Sequence, residues 1–252
     1  MAKAAPKHVV NLDPVWQARV DLAAALRLAV RNGFHEGICN HFSLAVPGEK
    51  DRFLINPWGD HWSEVRASDL LVVDADGRLI SGAIEPEPTA FYIHSRIHRG
   101  NPKASCVLHT HMPHATALTL LQSGRIEWIG QAAVRFYGNV AYYDDYNGLV
   151  LDNDEGDRIC DALGDKRVLF LANHGVIVVG ETVARAFNDL YYLERVCQAQ
   201  VLAMQTGRPL RYLSQEVLER TAEQMTRDVG SIELHFAALK RLLDRSEPDY
   251  AE

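Results

Sequence analysis

The sequence predicts an α/β protein: a central, mostly antiparallel sheet with helices on its faces, folded as one domain. Three observations carry that prediction. Apolar residues recur at helical spacing over 13–32 and again over 182–206. Asp76-Gly77 separates two short extended runs, the pattern of a tight antiparallel hairpin. Two apolar runs, VLFLA and VIVVG, are interrupted only by Asn173-His174-Gly175, which reads as strand, tight turn, strand.

Taken in order, the first helix covers 13–32. Asp13 caps it, and Pro14 sits in the first turn, where a missing N–H costs nothing. Val15, Ala18, Leu22, Ala25, Leu26 and Ala29 form its apolar stripe, and Gly33 ends it. Residues 42–46 alternate like a half-buried strand, and 53–55 run into the Asn56-Pro57-Trp58-Gly59 turn. Strands 70–73 and 78–80 flank Asp76-Gly77. A helix over 87–99 stops before Pro102. A strand is read over 105–110, a helix over 114–123, strands over 127–129 and 139–142, and a helix over 154–163. The strand pair within 167–179 leads into the 182–206 helix, which Gly207 ends. Residues 214–244 are helical and amphipathic, and the last residues, SEPDYAE, are expected to fray.

Composition excludes several function classes. With 47% hydrophobic and 23% charged residues, the 252-residue chain has the make-up of a globular protein able to bury a core. The net charge is −7 and no basic stripe is visible, so no nucleic-acid partner is expected. No apolar run approaches the ~18 residues that span a bilayer, so no membrane partner is expected either. The start, MAKAAPKHVV, lacks the apolar stretch of a signal peptide. Cys39, Cys106, Cys160 and Cys197 are far apart and form no C-x-x-C pair, which reads as reduced thiols in the cytoplasm. Cys106 lies three residues before His109, but plain packing is the simpler reading of it.

Five of the eleven histidines fall between His94 and His114. His109 and His111 stand at i and i+2 on a strand, so their imidazoles leave the same face a few Å apart. An isolated H-x-H is weak, since imidazoles also serve as satisfied polar groups in cores. Here the pair ends an apolar strand, and His174 interrupts a second one at a turn that Gly175 allows to be tight. An unpaired buried polar group costs ~1–3 kcal/mol, so such a placement needs a reason. Three neutral imidazoles would leave coordination positions open, the arrangement of a catalytic rather than a structural metal site. Zinc, manganese, iron and cobalt all accept imidazole, so the sequence leaves the divalent ion open among them.

Together, PTAFYIHSRIHRGNPKASCVLHTHMPHATAL (88–118), INPWG (55–59) and FLANHGVIVVG (170–180) resemble the class II aldolase/adducin family. HEGICNHFSL (35–44), YYDDYNGLV and YYLERVCQAQ fit it too, and the resemblance spans roughly 15–209. It implies a three-layer α/β/α fold with a central, mainly antiparallel sheet, one such domain over 1–252 with its core at about 15–209 and C-terminal helices at about 214–244. It also implies a homotetramer with active sites between subunits. In the sugar-phosphate aldolases of the family three histidines bind zinc. They match His109, His111 and His174, which implies one divalent ion per subunit, Zn²⁺ or Mn²⁺ with Fe²⁺ or Co²⁺ also fitting.

The departures from those aldolases carry the functional expectation. Their acid/base Glu corresponds to Ala90, and a methyl cannot shuttle a proton; Glu85 and Glu87 are near but out of register. Trp58 stands where their phosphate loop has a hydroxyl, Pro88 and Thr89 stand for a small polar pair, and His41 stands for an Asn. Phosphate wants N–H groups, hydroxyls and cations, whereas an indole offers a flat apolar face for a ring. The substrate is therefore expected to be a small carboxylate with an aromatic or heteroaromatic ring, met by Asn56, Trp58, Gly59 and Thr89, with Arg96 holding a second carboxylate. Trp58 in a subunit interface and a solvated Arg96 are the plainer alternatives.

Relatives that keep the IHS-x-IH helix but lack the Glu look like decarboxylases of hydroxylated aromatic acids. The chain is accordingly expected to be a divalent-metal-dependent carbon–carbon lyase, decarboxylating through a metal-chelated phenolate or enolate. The ring carbon then needs a proton, with His94 as first candidate acid and His41 as second. A structural role, orienting a ligand, is the alternative for His94. Three other functions stay open: an aldolase on a non-phosphorylated hydroxy-keto acid, an iron-dependent oxygenase, and a non-catalytic adducin-type scaffold.

Overall fold

The structure, a computed structural model, describes residues 13–49, 51–228 and 230–252. The N-terminal stretch in which no targeting signal was read lies outside the described residues. Helix α1 (Pro14–Arg31) starts as expected, with the Asp13 carboxylate accepting from the Val15 N–H and proline in its first turn. Eight strands follow: β1 (His41–Ala45), β2 (Arg52–Ile55), β3 (Leu71–Asp74), β4 (Leu79–Ser81), β5 (Cys106–Thr110), β6 (Val140–Tyr143), β7 (Val168–Leu171) and β8 (Gly175–Gly180). They form one sheet in the order β4-β3-β2-β1-β5-β8-β7-β6. Every neighbouring pair is antiparallel except β6 and β7.

The helices between and after them are α2 (Pro88–Gly100), α3 (Pro113–Thr119), α4 (Asn153–Leu163), α5 (Val183–Gln205), α6 (Gln215–Thr226) and α7 (Ser231–Ser246). Because strand side chains alternate, each strand feeds two cores. Phe42, Leu44, Cys106, Leu108, Val176 and Val178 pack with α1, α3 and α5 on one face. Val107, Leu169, Ile177 and Val179 pack with Ile93 and Ile97 of α2 and Ile159 and Leu163 of α4 on the other. This is the expected α/β/α layering. His41, Ser43 and His109, being one residue out of phase with Phe42, Leu44 and Leu108, leave the sheet on the α2 side.

Three local expectations are corrected, and the expected C-terminal helices are resolved into two. Helix α3 ends at Thr119 rather than near 123, because the chain turns back at Gly124, where a Cβ would lie 1.8 Å from the Leu118 carbonyl oxygen. Residues 127–129 form no strand; the Glu127 N–H donates to the Gln200 side chain at 2.8 Å and the Ile126 N–H to the Tyr142 hydroxyl at 3.0 Å. The C-terminal helical stretch divides into α6 and α7 around Gly230, whose φ of 94° is left-handed. The tail does not fray: Tyr250 is buried, and Asp249 accepts from the buried Arg27 guanidinium at 2.9 Å. A guanidinium inside α1's packed face needs an anion beside it, and the last turn of the chain supplies it.

Candidate metal centre and its cavity

Strand β5 delivers His109 and His111, and the β7–β8 turn delivers His174. One nitrogen from each lies within 4.8 Å of the other two. The His109 Nδ1–H donates to the Val176 carbonyl of β8 at 3.0 Å, which leaves its Nε2 as a lone pair. His111 Nδ1 lies 2.5 Å from a Glu36 carboxylate oxygen, which can only accept, so in the neutral, ligating form of this ring Nε2 is the lone pair. Those two Nε2 atoms are 3.2 Å apart. With both rings in the ligating form those lone pairs face each other, and a metal cation between them would turn the repulsion into coordination. Tetrahedral zinc with Zn–N of ~2.0–2.1 Å puts its nitrogens roughly 3.3 Å apart, so the donor set fits such an ion.

Burial pushes the His109 imidazolium well down, and burial with the nearby His111 lowers His174 to about 4. Both rings are therefore neutral, the ligating form, at pH 7. The backbone is shaped around them. A Cβ on Gly175 would come 2.6 Å from His111 Cδ2 and 2.6 Å from the Thr110 carbonyl oxygen, so only glycine lets β8 pass the ring. Asn173 and Asn40 adopt left-handed φ of 56° and 76° on either side of the centre. The Asn40 side-chain Oδ1 accepts from the His111 backbone N–H at 3.3 Å.

The three imidazoles open into a cavity of about 480 Å³. Its walls are chiefly apolar: Ile38, Trp58, Ala90, Ile93, Leu149 and Val150. No Lys or Arg lines it among the described residues. Of the residues expected at the substrate, Asn56, Trp58 and Thr89 line this cavity. Asn56 also accepts from the Phe42 N–H at 2.8 Å, tying β1 to the loop after β2. Gly59, with φ of 95°, follows Trp58 and is not itself in the wall. Arg96 is not in the wall either; it is bound to Asp157 of α4 by two N–H···O bonds of 2.5 and 2.6 Å. The expectation is thus corrected: Arg96 is held on α4, whose Asp157 takes two of its N–H groups, while Ile93, one turn earlier on the helix, reaches the cavity wall.

His41 lines the cavity, its ring centroid 4.9 Å from that of His109. His94 does not; it is fully buried behind His41, its Nε2 2.7 Å from His41 Nδ1. Ala90 is a buried part of the wall, and Glu87 lines it too. The Glu87 carboxylate is spent on capping α2, accepting from the Ala90 N–H at 2.7 Å and from the Thr89 hydroxyl. Glu36, Asn40 and Ser43 were not singled out from the sequence. For Ser43 the signal lies in pairing, since His41 faces His109 and Ser43 faces Val107 across β1 and β5, and no single-residue pattern reports that register.

The profile of the Class II Aldolase and Adducin N-terminal domain matches residues 20–201. The chain belongs to the class II aldolase and adducin family. Within the family it is 36% identical over 240 residues to a Caulobacter vibrioides protein named for the class 2 aldolases, covering 94% of this chain and 93% of that one. It is 32% identical over 239 residues to the decarboxylase NovR of Streptomyces niveus, covering 91% and 84%. The crystal structure of an aldolase II superfamily protein from Pseudomonas syringae superimposes with a TM-score of 0.90 at 36% identity, covering 96% and 97%. The chain is also 37% identical to mouse alpha-adducin over 187 residues, covering 73% of this chain and a quarter of that protein. No helix among the described residues is long and apolar enough to cross a membrane.

Proposed function

We propose that the protein is a divalent-metal-dependent carbon–carbon lyase that decarboxylates a hydroxylated aromatic or heteroaromatic carboxylic acid. The observation that carries this reading is a three-imidazole centre opening into an apolar cavity that no Lys or Arg lines among the described residues. His109, His111 and His174 would hold one zinc, manganese, iron or cobalt ion. Such an ion, when bound, supplies Lewis acidity that favours the deprotonated form of a substrate hydroxyl.

The protein's own residues supply the rest. The Ala90 methyl leaves room where a longer side chain would meet a ring, and the Trp58 indole gives that ring a flat face. Asn56 and Thr89 offer polar atoms at the wall, and Gly59 lets the loop turn beneath the indole. The apolar wall keeps water from the reacting carbon. His41 is the cavity group that carries a proton, and His94, behind it, acts through it. The similarity to a protein named as a decarboxylase supports the same reading. Exposed Ile38, Trp58, Tyr146 and Leu149 at the mouth suit an assembly, which we take to be a homotetramer with sites between subunits, working in the cytoplasm as one domain per chain.

The test is a panel of ortho-hydroxy benzoate and pyridine carboxylates, each with Mn²⁺, Zn²⁺, Co²⁺ and Fe²⁺, read as CO2 release. Metal-dependent CO2 release supports the reading. Release of pyruvate or an aldehyde from hydroxy-keto acids, with no CO2 from the ring acids, would replace it with an aldolase. The class 2 aldolase naming of a close relative keeps that second reading in view.

A further inference from the structure

Behind His41 runs a line of polar groups, buried except for the half-buried His98, that ends on a backbone carbonyl. Its members come from two elements by simple spacing: His41 and Ser43 at i and i+2 on β1, His94 and His98 at i and i+4 on α2. His98 Nδ1 lies 2.9 Å from the Ala104 carbonyl oxygen. A carbonyl only accepts, so this nitrogen carries the proton and His98 Nε2 is bare. Ser43 Oγ lies 2.7 Å from that Nε2, so the hydroxyl donates to it. A hydroxyl has one proton to give. Ser43 Oγ must therefore accept from its other partner, the His94 Nδ1–H. His94 Nε2 is then bare and accepts from the His41 Nδ1–H at 2.7 Å. That assigns the last lone pair to His41 Nε2, on a ring that lines the cavity.

We propose that this one-way chain, anchored on the Ala104 carbonyl, fixes the tautomer of His41 so that the resting protein offers the substrate a proton acceptor. Ser43, His94 and His98 are positioning residues; none of them lines the cavity. Burial keeps His94 and His98 neutral, with His98 lowered to about 4, so each has only one ring proton to place. Resting on the lyase reading, the chain gives the order of proton movements. His41 Nε2 first takes the proton of the substrate hydroxyl: an O–H bond breaks and an N–H bond forms. The same proton then passes to the ring carbon that bears the carboxylate. The C–C electron pair returns to the ring as CO2 leaves, and the product phenolate takes one proton from water. His41 ends as it began, with its Nδ1–H on His94 throughout. A fixed acceptor thus becomes the acid only after it has been loaded by the substrate itself.

The experiment is long-range ¹H–¹⁵N correlation of the full chain labelled at histidine, metal-free and zinc-loaded, with rings assigned by single substitution. The proposal expects His41, His94 and His98 all as Nδ1–H tautomers at neutral pH. It expects Ser43→Ala to release His41 into tautomer exchange while zinc stoichiometry stays at the wild-type value. In turnover, Ser43→Ala should lower kcat roughly ten-fold or more with KM little changed. A proton on His41 Nε2 in the resting protein would overturn the proposal. So would a His41 signal unmoved by Ser43→Ala, or a zinc-induced shift marking His41 Nε2 as a fourth ligand. The tautomers are read without substrate, so loss of the lyase reading, seen as no CO2 from any acid, is distinguishable from loss of the chain.

Discussion

At the scale of single residues, the centre depends on atoms that are absent as much as on those present. Gly175 has room for no side chain, because a methyl would meet both the His111 ring and the Thr110 backbone at 2.6 Å. Gly175→Ala is therefore expected to lose metal affinity by about ten-fold to a hundred-fold, the range seen when the support of a ligating ring is disturbed, measured by calorimetric zinc titration. Unchanged affinity would mean that β8 does not hold His111. The buried imidazoles also make a pH prediction for the metal-free protein. The folded pKa of His98 is lowered to about 4 and that of His94 falls well below 6.5, whereas both titrate near 6.5 when unfolded. The unfolded chain then binds more protons between those values. Stability is full above about pH 6.5 and falls as pH drops towards 4, by on the order of 3 kcal/mol for His98 alone. Thermal melts of the metal-free protein should show Tm falling across that window, with a shallower fall in His98→Gln.

At the scale of elements, β5 and α2 do most of the placing. The H-x-H at the end of β5 and the interrupted apolar doublet around His174 were legible because strand period and turn chemistry are local properties of the chain. What joins them is not local. Ser43 enters the site only because β1 pairs with β5 in the register that sets His41 against His109. Arg96 illustrates the opposite failure: a helix-surface cation near the motif looks available until α4 brings Asp157 to it. Glu87 is the element-scale test case. It lines the cavity, yet its carboxylate is bound to the first turn of α2. Glu87→Ala should cost about 1 kcal/mol of stability, as loss of a helix cap does, with kcat within a few-fold of wild type. A drop of a hundred-fold or more in kcat with Tm unchanged would instead make Glu87 the acid/base group.

At the scale of the molecule, the sheet order brings the β7–β8 turn beside the end of β5, so ligands 63 residues apart in sequence (His111 to His174) meet without any long loop. The α/β class and the layering followed from periodicity, whereas the docking of the last turn on α1 and the break between α6 and α7 depend on tertiary partners that a window of sequence cannot contain. All of the chemistry proposed above requires the three imidazoles to converge on one cation. The direct measurement is zinc and manganese titration of the metal-free protein with elemental analysis, for the wild type and for His109→Ala, His111→Ala and His174→Ala. One ion bound per chain, with affinity lost in each variant while the far-ultraviolet circular dichroism spectrum is kept, is the predicted result. An ion bound equally well by all three variants, or by none of the four proteins, would contradict it.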